Sequence, residues 1–190
     1  MKVLLVNTNR ESAPQPVIPL GLCMVASALK KKGFEVRLLD LCFARRPGRD
    51  IEMAIGEFAP DFIGVSVRNL DNGEAGAPRG YLPQVEYIIR ELRRHSAAPV
   101  IIGGPAVSMA PGRLRDTLGA DWAVAGEGEE VFAKLIDALK AGTAPAGLPG
   151  VYGRNRESPK VSAARIEPED FRTAEPWRWL DLNRYLRWGS

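Results

Sequence analysis

Apolar and polar positions along the chain alternate between two rhythms. Residues 2–7, KVLLVN, are a short apolar run of valine and leucine that halts at Asn7-Thr8-Asn9, the profile of a buried strand. After a proline-rich loop, PLGLCMVASALKKKG puts Leu22, Val25, Ala26 and Leu29 three and four residues apart, on one face of a helix. Lys30, Lys31 and Lys32 suit the negative end of that helix, and Gly33 suits its cap. FEVRLLD (34–40) predicts a second strand, a weaker helix follows at 50–58, and DFIGVSV (61–67) predicts a third strand. Residues 83–94 gather Val85, Ile88, Ile89 and Leu92 on one helix face. PVIIGG (99–104) predicts a fourth strand, 112–118 a short helix, DWAVAG (121–126) a fifth strand and 129–140 the last clear helix. Strands with near-continuous apolar runs, separated by helices, imply an α/β fold: a five-stranded parallel sheet with helices on both faces.

The pattern then changes. AGTAPAGLPG (141–150) is rich in Gly, Ala and Pro and marks a domain edge, which divides the chain into a sheet domain (1–141) and an extension (142–190). In the extension, VYGRN and KVSAARI flank a turn at 157–159 and predict a short hairpin. The aromatic-rich tail EPWRWLDLNRYLRWGS holds Trp177, Trp179 and Trp188, three of the four tryptophans. A segment so polar and so interrupted by proline has little core of its own. It lies back over the sheet domain or docks on something outside this chain.

Composition narrows the classes. With 45% hydrophobic and 26% charged residues among 190, the chain has an ordinary globular mixture. Its net charge of +3 is spread along the sequence with no basic block, which argues against a nucleic-acid partner. Cys23 and Cys42 are too few for a disulfide scaffold or an all-cysteine metal site, and their apolar neighbours suit reduced, buried thiols in the cytoplasm. No signal peptide is recognisable, and no apolar run reaches the roughly 20 residues of a membrane helix. A soluble, cytoplasmic protein without a membrane partner is expected.

In an open parallel sheet, ligands bind beyond the carboxyl ends of the strands. The residues there are Asn7-Thr8-Asn9, Arg68-Asn69-Leu70-Asp71-Asn72, Gly103-Gly104-Pro105-Ala106 and Gly126-Glu127-Gly128-Glu129. Two of these loops are glycine-rich, which lets a ligand approach the backbone closely. Catalytic constellations are missing. No GxxxxGK phosphate loop occurs, and the single histidine, His95, ends a predicted helix on the opposite side of the sheet, which rules out a Ser-His-Asp triad. Aspartates do not cluster as in a phosphorylated receiver domain. A rival reading is a dinucleotide-binding oxidoreductase, with Asp40, 19 residues after Gly21, gripping a ribose. Its weakness is the first loop, NTNRESAPQPVIPLG, where a GxGxxG motif should stand.

PLGLCMVASALKKKGFEVRLLD, DFIGVSV, VIIGGPAVSMAP and DWAVAGEGEEVFAKLIDAL together resemble, in order and spacing, the amino-terminal cobalamin-binding domain of cobalamin-dependent radical S-adenosylmethionine enzymes. The resemblance implies a Rossmann-like, flavodoxin-type sheet that takes the corrin on its carboxyl edge and threads the lower nucleotide tail down beside the strands. It implies cobalamin (methylcobalamin or hydroxocobalamin) as the cofactor. The implied contacts are Thr8, Asn9, Leu20, Gly21, Ser66, Val67, Arg68, Asn69, Gly103, Gly104, Pro105, Ala106, Gly126, Glu127, Gly128 and Glu129. Side chains at Gly103 and Gly104 would then block the tail, and Pro105 would direct the exit of the loop.

Two departures shape the expectation. Histidine is common in this family where Ala106 stands, and the DxHxxG motif that supplies a lower cobalt ligand in cobalamin mutases is absent. Cobalt would be held only through cobalamin, without a histidine lower ligand, its lower face near Arg68 or Asn69. The CxxxCxxC motif that carries a 4Fe-4S cluster and cleaves S-adenosylmethionine is also absent. The chain therefore reads as the cobalamin-binding part of a radical methyltransferase. Its catalytic domain would lie downstream in the same polypeptide, and Trp177, Trp179 and Trp188 would serve as interface residues able to drive self-association. The non-enzymatic alternative is a stand-alone cobalamin carrier or sensor.

Overall fold

The computed structural model describes residues 1–73, 76–77, 79–143, 145, 147–153 and 176–186. Five parallel strands form its centre: β1 (Lys2–Asn7), β2 (Glu35–Asp40), β3 (Phe62–Ser66), β4 (Val100–Gly103) and β5 (Trp122–Val124). They stand in the order β2-β1-β3-β4-β5, the doubly wound arrangement of flavodoxin-like sheets. A sixth strand, β6 (Val151–Gly153), joins β5 antiparallel, so the sheet is mixed rather than purely parallel. One arm of the predicted hairpin has thus become an edge strand, and the other lies outside the described residues. β6 is fixed from below by Arg115, 7% exposed, whose guanidinium donates to the Gly153 carbonyl and to Asp116.

Alternation along the strands divides the core in two. Leu4, Val6, Ile63, Val65, Val100 and Ile102 face α2 (Pro47–Phe58), α3 (Leu82–His95), α4 (Pro105–Met109) and α5 (Pro111–Leu118). Val3, Leu5, Phe62, Ile101 and Val124 face α1 (Leu20–Lys31) and α6 (Gly128–Lys140). Strands buried on both sides are the physical reason the sequence reads as unbroken apolar runs. The helix α4, unmarked by any periodicity, follows directly on Gly104.

The tail returns to the sheet domain. A 3-10 helix (Pro176–Trp179) lies on α1, with the Trp179 Nε1 donating to Ser27 Oγ at 3.0 Å and Lys30 Nζ over the indole. The helix α7 (Leu182–Leu186) then docks beside the end of β2. For Trp179 the first of the two expected placements holds. The side chain of Trp177 and all of Trp188 lie outside the described residues. Among the described residues no helix is long and apolar enough to cross a membrane.

Candidate functional site

A cavity of about 450 Å³ opens at the carboxyl edge of the sheet, between α1 and α6. Two rows of sheet residues make its back wall, set by the pairing register. The upper row is Asn7, Ser66 and Gly103, and the lower row is Leu5, Gly64 and Ile101. Two of these six positions are glycine: Gly103 leaves its backbone open to the cavity, whereas Gly64 is covered by the Leu5 and Phe132 side chains. Leu22 and Val25 of α1 and Phe132 of α6 form the sides.

The two glycines of the Gly-Gly-Pro loop do different work. A Cβ at Gly103 would meet only the Val124 carbonyl, at 3.5 Å, so its absence leaves room in the cavity rather than relieving a clash. Gly104 has φ +106 and ψ 176, a region essentially closed to other residues, and a Cβ there would stand 2.7 Å from the Val67 carbonyl oxygen. Gly104 is therefore glycine for its own backbone. Pro105 then starts α4, where its missing N–H costs nothing.

Ser108, which the sequence reading passed over, ties the two glycine loops together. Its Oγ donates to the Gly104 carbonyl at 3.2 Å and accepts from the Gly126 N–H at 2.9 Å. Glu127, Gly128 and Glu129 complete that side of the mouth at the start of α6. On the first loop, Asn9 lines the cavity and is 9% exposed, yet its Nδ2 has no hydrogen-bond partner. A buried donor left unpaired costs about 1–3 kcal/mol, which a ligand carbonyl or phosphate oxygen would recover. Arg68 stands exposed at the lip, and Val17, Ile18, Leu20 and Gly21 give the rim an apolar character.

Twelve of the sixteen expected residues thus line one cavity, counting Ser66 on the wall and Asn9, Leu20, Gly21 and Arg68 at its mouth. Thr8, Val67, Asn69 and Ala106 do not. Thr8 is 2% exposed and spends its hydroxyl on the Ser66 carbonyl at 2.7 Å, joining the ends of β1 and β3. Val67 and Ala106 turn into the core against α2–α5, where the Ala106 N–H reaches the Val67 carbonyl. Side-chain choice at 106 therefore does not shape the cavity wall. Conversely, Leu5, Val25, Gly64 and Phe132 were missed, because mid-strand and mid-helix residues give no loop signal.

Asp40, the carboxylate of the dinucleotide rival, is fully engaged elsewhere. Its Oδ1 accepts from Asn7 Nδ2 at 2.8 Å and from the Cys42 N–H at 3.1 Å, and its Oδ2 accepts from the Tyr185 hydroxyl at 2.6 Å. It does not line the cavity. Burial, then the Asp40 charge, push the Cys23 thiol up to about 12 and Cys42 to about 11, so neither is a ready nucleophile or metal ligand. His95 ends α3 and stays clear of the cavity. Among the described residues no three His, Cys, Asp or Glu side chains gather to hold a metal ion.

A doubly wound sheet with a deep, backbone-walled cavity at its carboxyl edge defines the class, and the sequence places it: residues 6–136 match the B12 binding domain family, to which this chain belongs. The curated relatives it matches include methyltransferases. The chain is 35% identical over 144 residues to tryptophan 2-C-methyltransferase of Streptomyces laurentii, covering 74% of this chain and 23% of that protein. It is 29% identical over 190 residues to cytidylyl-2-hydroxyethylphosphonate methyltransferase of Streptomyces wedmorensis, covering 88% of this chain and 33% of that one. Among solved structures, the radical S-adenosylmethionine methyltransferase TsrM from Kitasatospora setae, with cobalamin and a 4Fe-4S cluster bound, superposes with a TM-score of 0.78. That match is 35% identical and covers 86% of this chain and 30% of TsrM. The chain spans 23% to 33% of the length of these relatives.

Proposed function

We propose that this chain holds cobalamin for a radical S-adenosylmethionine methyltransferase, whose cluster and substrate site belong to a further domain of the same polypeptide. The observation that carries the reading is the open backbone at Gly103 above an apolar slot walled by α1 and α6. Such a slot would take a flat nucleotide tail, and a side chain at Gly103 would compete with it. Bound cobalamin would supply a cobalt centre that accepts a methyl group and hands it on.

The chain's own residues would bind and orient. Asn9 would give its unpartnered Nδ2 to an acceptor on the cofactor, and Ser108 would hold the Gly104 and Gly126 loops at a fixed separation across the mouth. The apolar rim of Val17, Ile18 and Leu20 would lie against the corrin and exclude water. No histidine lines the cavity, so the lower face would carry no imidazole. Arg68, at the lip, presents a guanidinium, which would offer a metal no ligand.

Reconstitution tests this. Incubation with hydroxocobalamin and desalting should leave a red protein with one corrin per chain. Nicotinamide dinucleotide binding without corrinoid uptake would overturn the reading in favour of the oxidoreductase. Separately, nitrogen superhyperfine coupling from a protein imidazole in the cobalt(II) resonance spectrum would overturn the absence of a histidine ligand.

A further inference from the structure

The floor of the slot differs in chemistry from its mouth. Below Ser66 and Gly103 its lining side chains are apolar: Leu5 and Ile101 beside Gly64 on the sheet, Leu22 and Val25 on α1, and Phe132 on α6. The backbone groups of that lower row are already committed to the pairing between β1, β3 and β4. Gly64 sits in the middle of β3, where glycine weakens a strand and so marks a close approach. The approach is by side chains. A Cβ at Gly64 would stand 2.6 Å from Leu5 Cδ2 and 2.8 Å from Phe132 Cζ. The Phe132 ring rests on bare β3 backbone, 6% exposed and packed among the residues between sheet, α1 and α6. Any side chain at 64 would push aside both the Leu5 side chain and the Phe132 ring, crowding the slot.

We propose that this floor selects the lower base of the cobamide, admitting an apolar benzimidazole and refusing a purine, with the Gly64–Phe132 contact setting the depth available. The inference rests on the cobalamin reading above. A purine brings ring nitrogens and an exocyclic amine that surrender water on entry. None of the lining side chains offers them a donor or acceptor, and unpaired buried polar groups are strongly disfavoured. The ring methyls of dimethylbenzimidazole gain from the same surface.

The test titrates the chain with three corrinoids: cobalamin, its adeninyl analogue, and cobinamide, which lacks the lower nucleotide. Cobalamin should bind at least tenfold tighter than the adeninyl form, whose affinity should fall to that of cobinamide. Equal affinity for the two cobamides overturns the selection while leaving cobalamin binding intact, whereas no uptake of any corrinoid overturns the underlying reading. Gly64→Ala should weaken cobalamin at least tenfold without changing cobinamide. Adding Phe132→Leu, which removes ring volume above the new methyl but leaves the Leu5 contact, should restore part of the cobalamin binding. Undiminished cobalamin affinity in a folded Gly64→Ala variant overturns the depth-setting role. If that variant misfolds, the ranking of the three ligands on the unaltered chain decides.

Discussion

Tyr185→Phe isolates the bond that fastens the tail to the end of β2. The Tyr185 hydroxyl donates to Asp40 Oδ2 at 2.6 Å, while the ring makes an edge contact with Phe43 at 4.8 Å that phenylalanine preserves. A hydrogen bond to a charged acceptor contributes about 1.5–3 kcal/mol. α7 is also tied by the Arg184 bond to the Phe43 carbonyl at 3.3 Å and by its stacking over the Phe43 ring, both at the surface. A five-residue helix cannot stand without such docking. Losing about 2 kcal/mol should raise its detachment equilibrium about 30-fold. Cys42 reports the event, since its thiol neighbours the Tyr185 hydroxyl and is 7% exposed. At constant pH, an aromatic disulfide reagent should label Cys42 one to two orders of magnitude faster in the variant. Cys23, 0% exposed within α1, should stay silent in both proteins. An unchanged Cys42 rate in a folded variant would refute the account, as would equal acceleration of Cys23, which would signal global loosening instead.

Two further predictions follow from the site and the buried thiols. Gly103→Val should keep the fold and lose at least tenfold in cobalamin affinity, because its side chain enters open cavity. Gly104→Val should instead lower stability by at least about 2 kcal/mol, and Tm by several degrees, from its backbone conformation and the clash with the Val67 carbonyl; the reverse pattern in a paired melt and titration would exchange their roles. Both cysteines are held above their ordinary 9.0, by burial first and the Asp40 charge second. Their protonated state contributes stability that is fully present below about pH 9 and lost as pH rises toward 11 to 12, because the unfolded chain releases those protons first. Urea midpoints should fall over that range less steeply in a Cys23→Ala, Cys42→Ser variant. An identical fall in both proteins would reject the thiols as the cause.

Much of the fold was legible because burial on both faces prints continuous apolar runs, and the five parallel strands follow them closely. β6 was legible as a strand, but its antiparallel pairing with β5 was not, since VYG carries no mark of its neighbour in the sheet. The site was legible where loops end strands: Gly103, Gly126, Glu127 and Gly128 all line the cavity. Gly104 was read for the wrong physical reason, because glycine's two uses, making space and adopting positive φ, look alike in sequence. Gly64 escaped notice because its partner in space, Phe132, lies 68 positions away. Asp40 was singled out by spacing alone, whereas its carboxylate serves Asn7, Cys42 and Tyr185.

α1 faces two ways. Leu22 and Val25 line the slot, while Ser27 and Lys30, on another side of the same helix, hold Trp179. A helix moves as a rod, so whatever spreads α1 from α6 to seat a ligand also shifts the anchor of the departing chain. A ligand that spreads α1 from α6 should therefore be read in Trp179 emission as well as at the cavity wall.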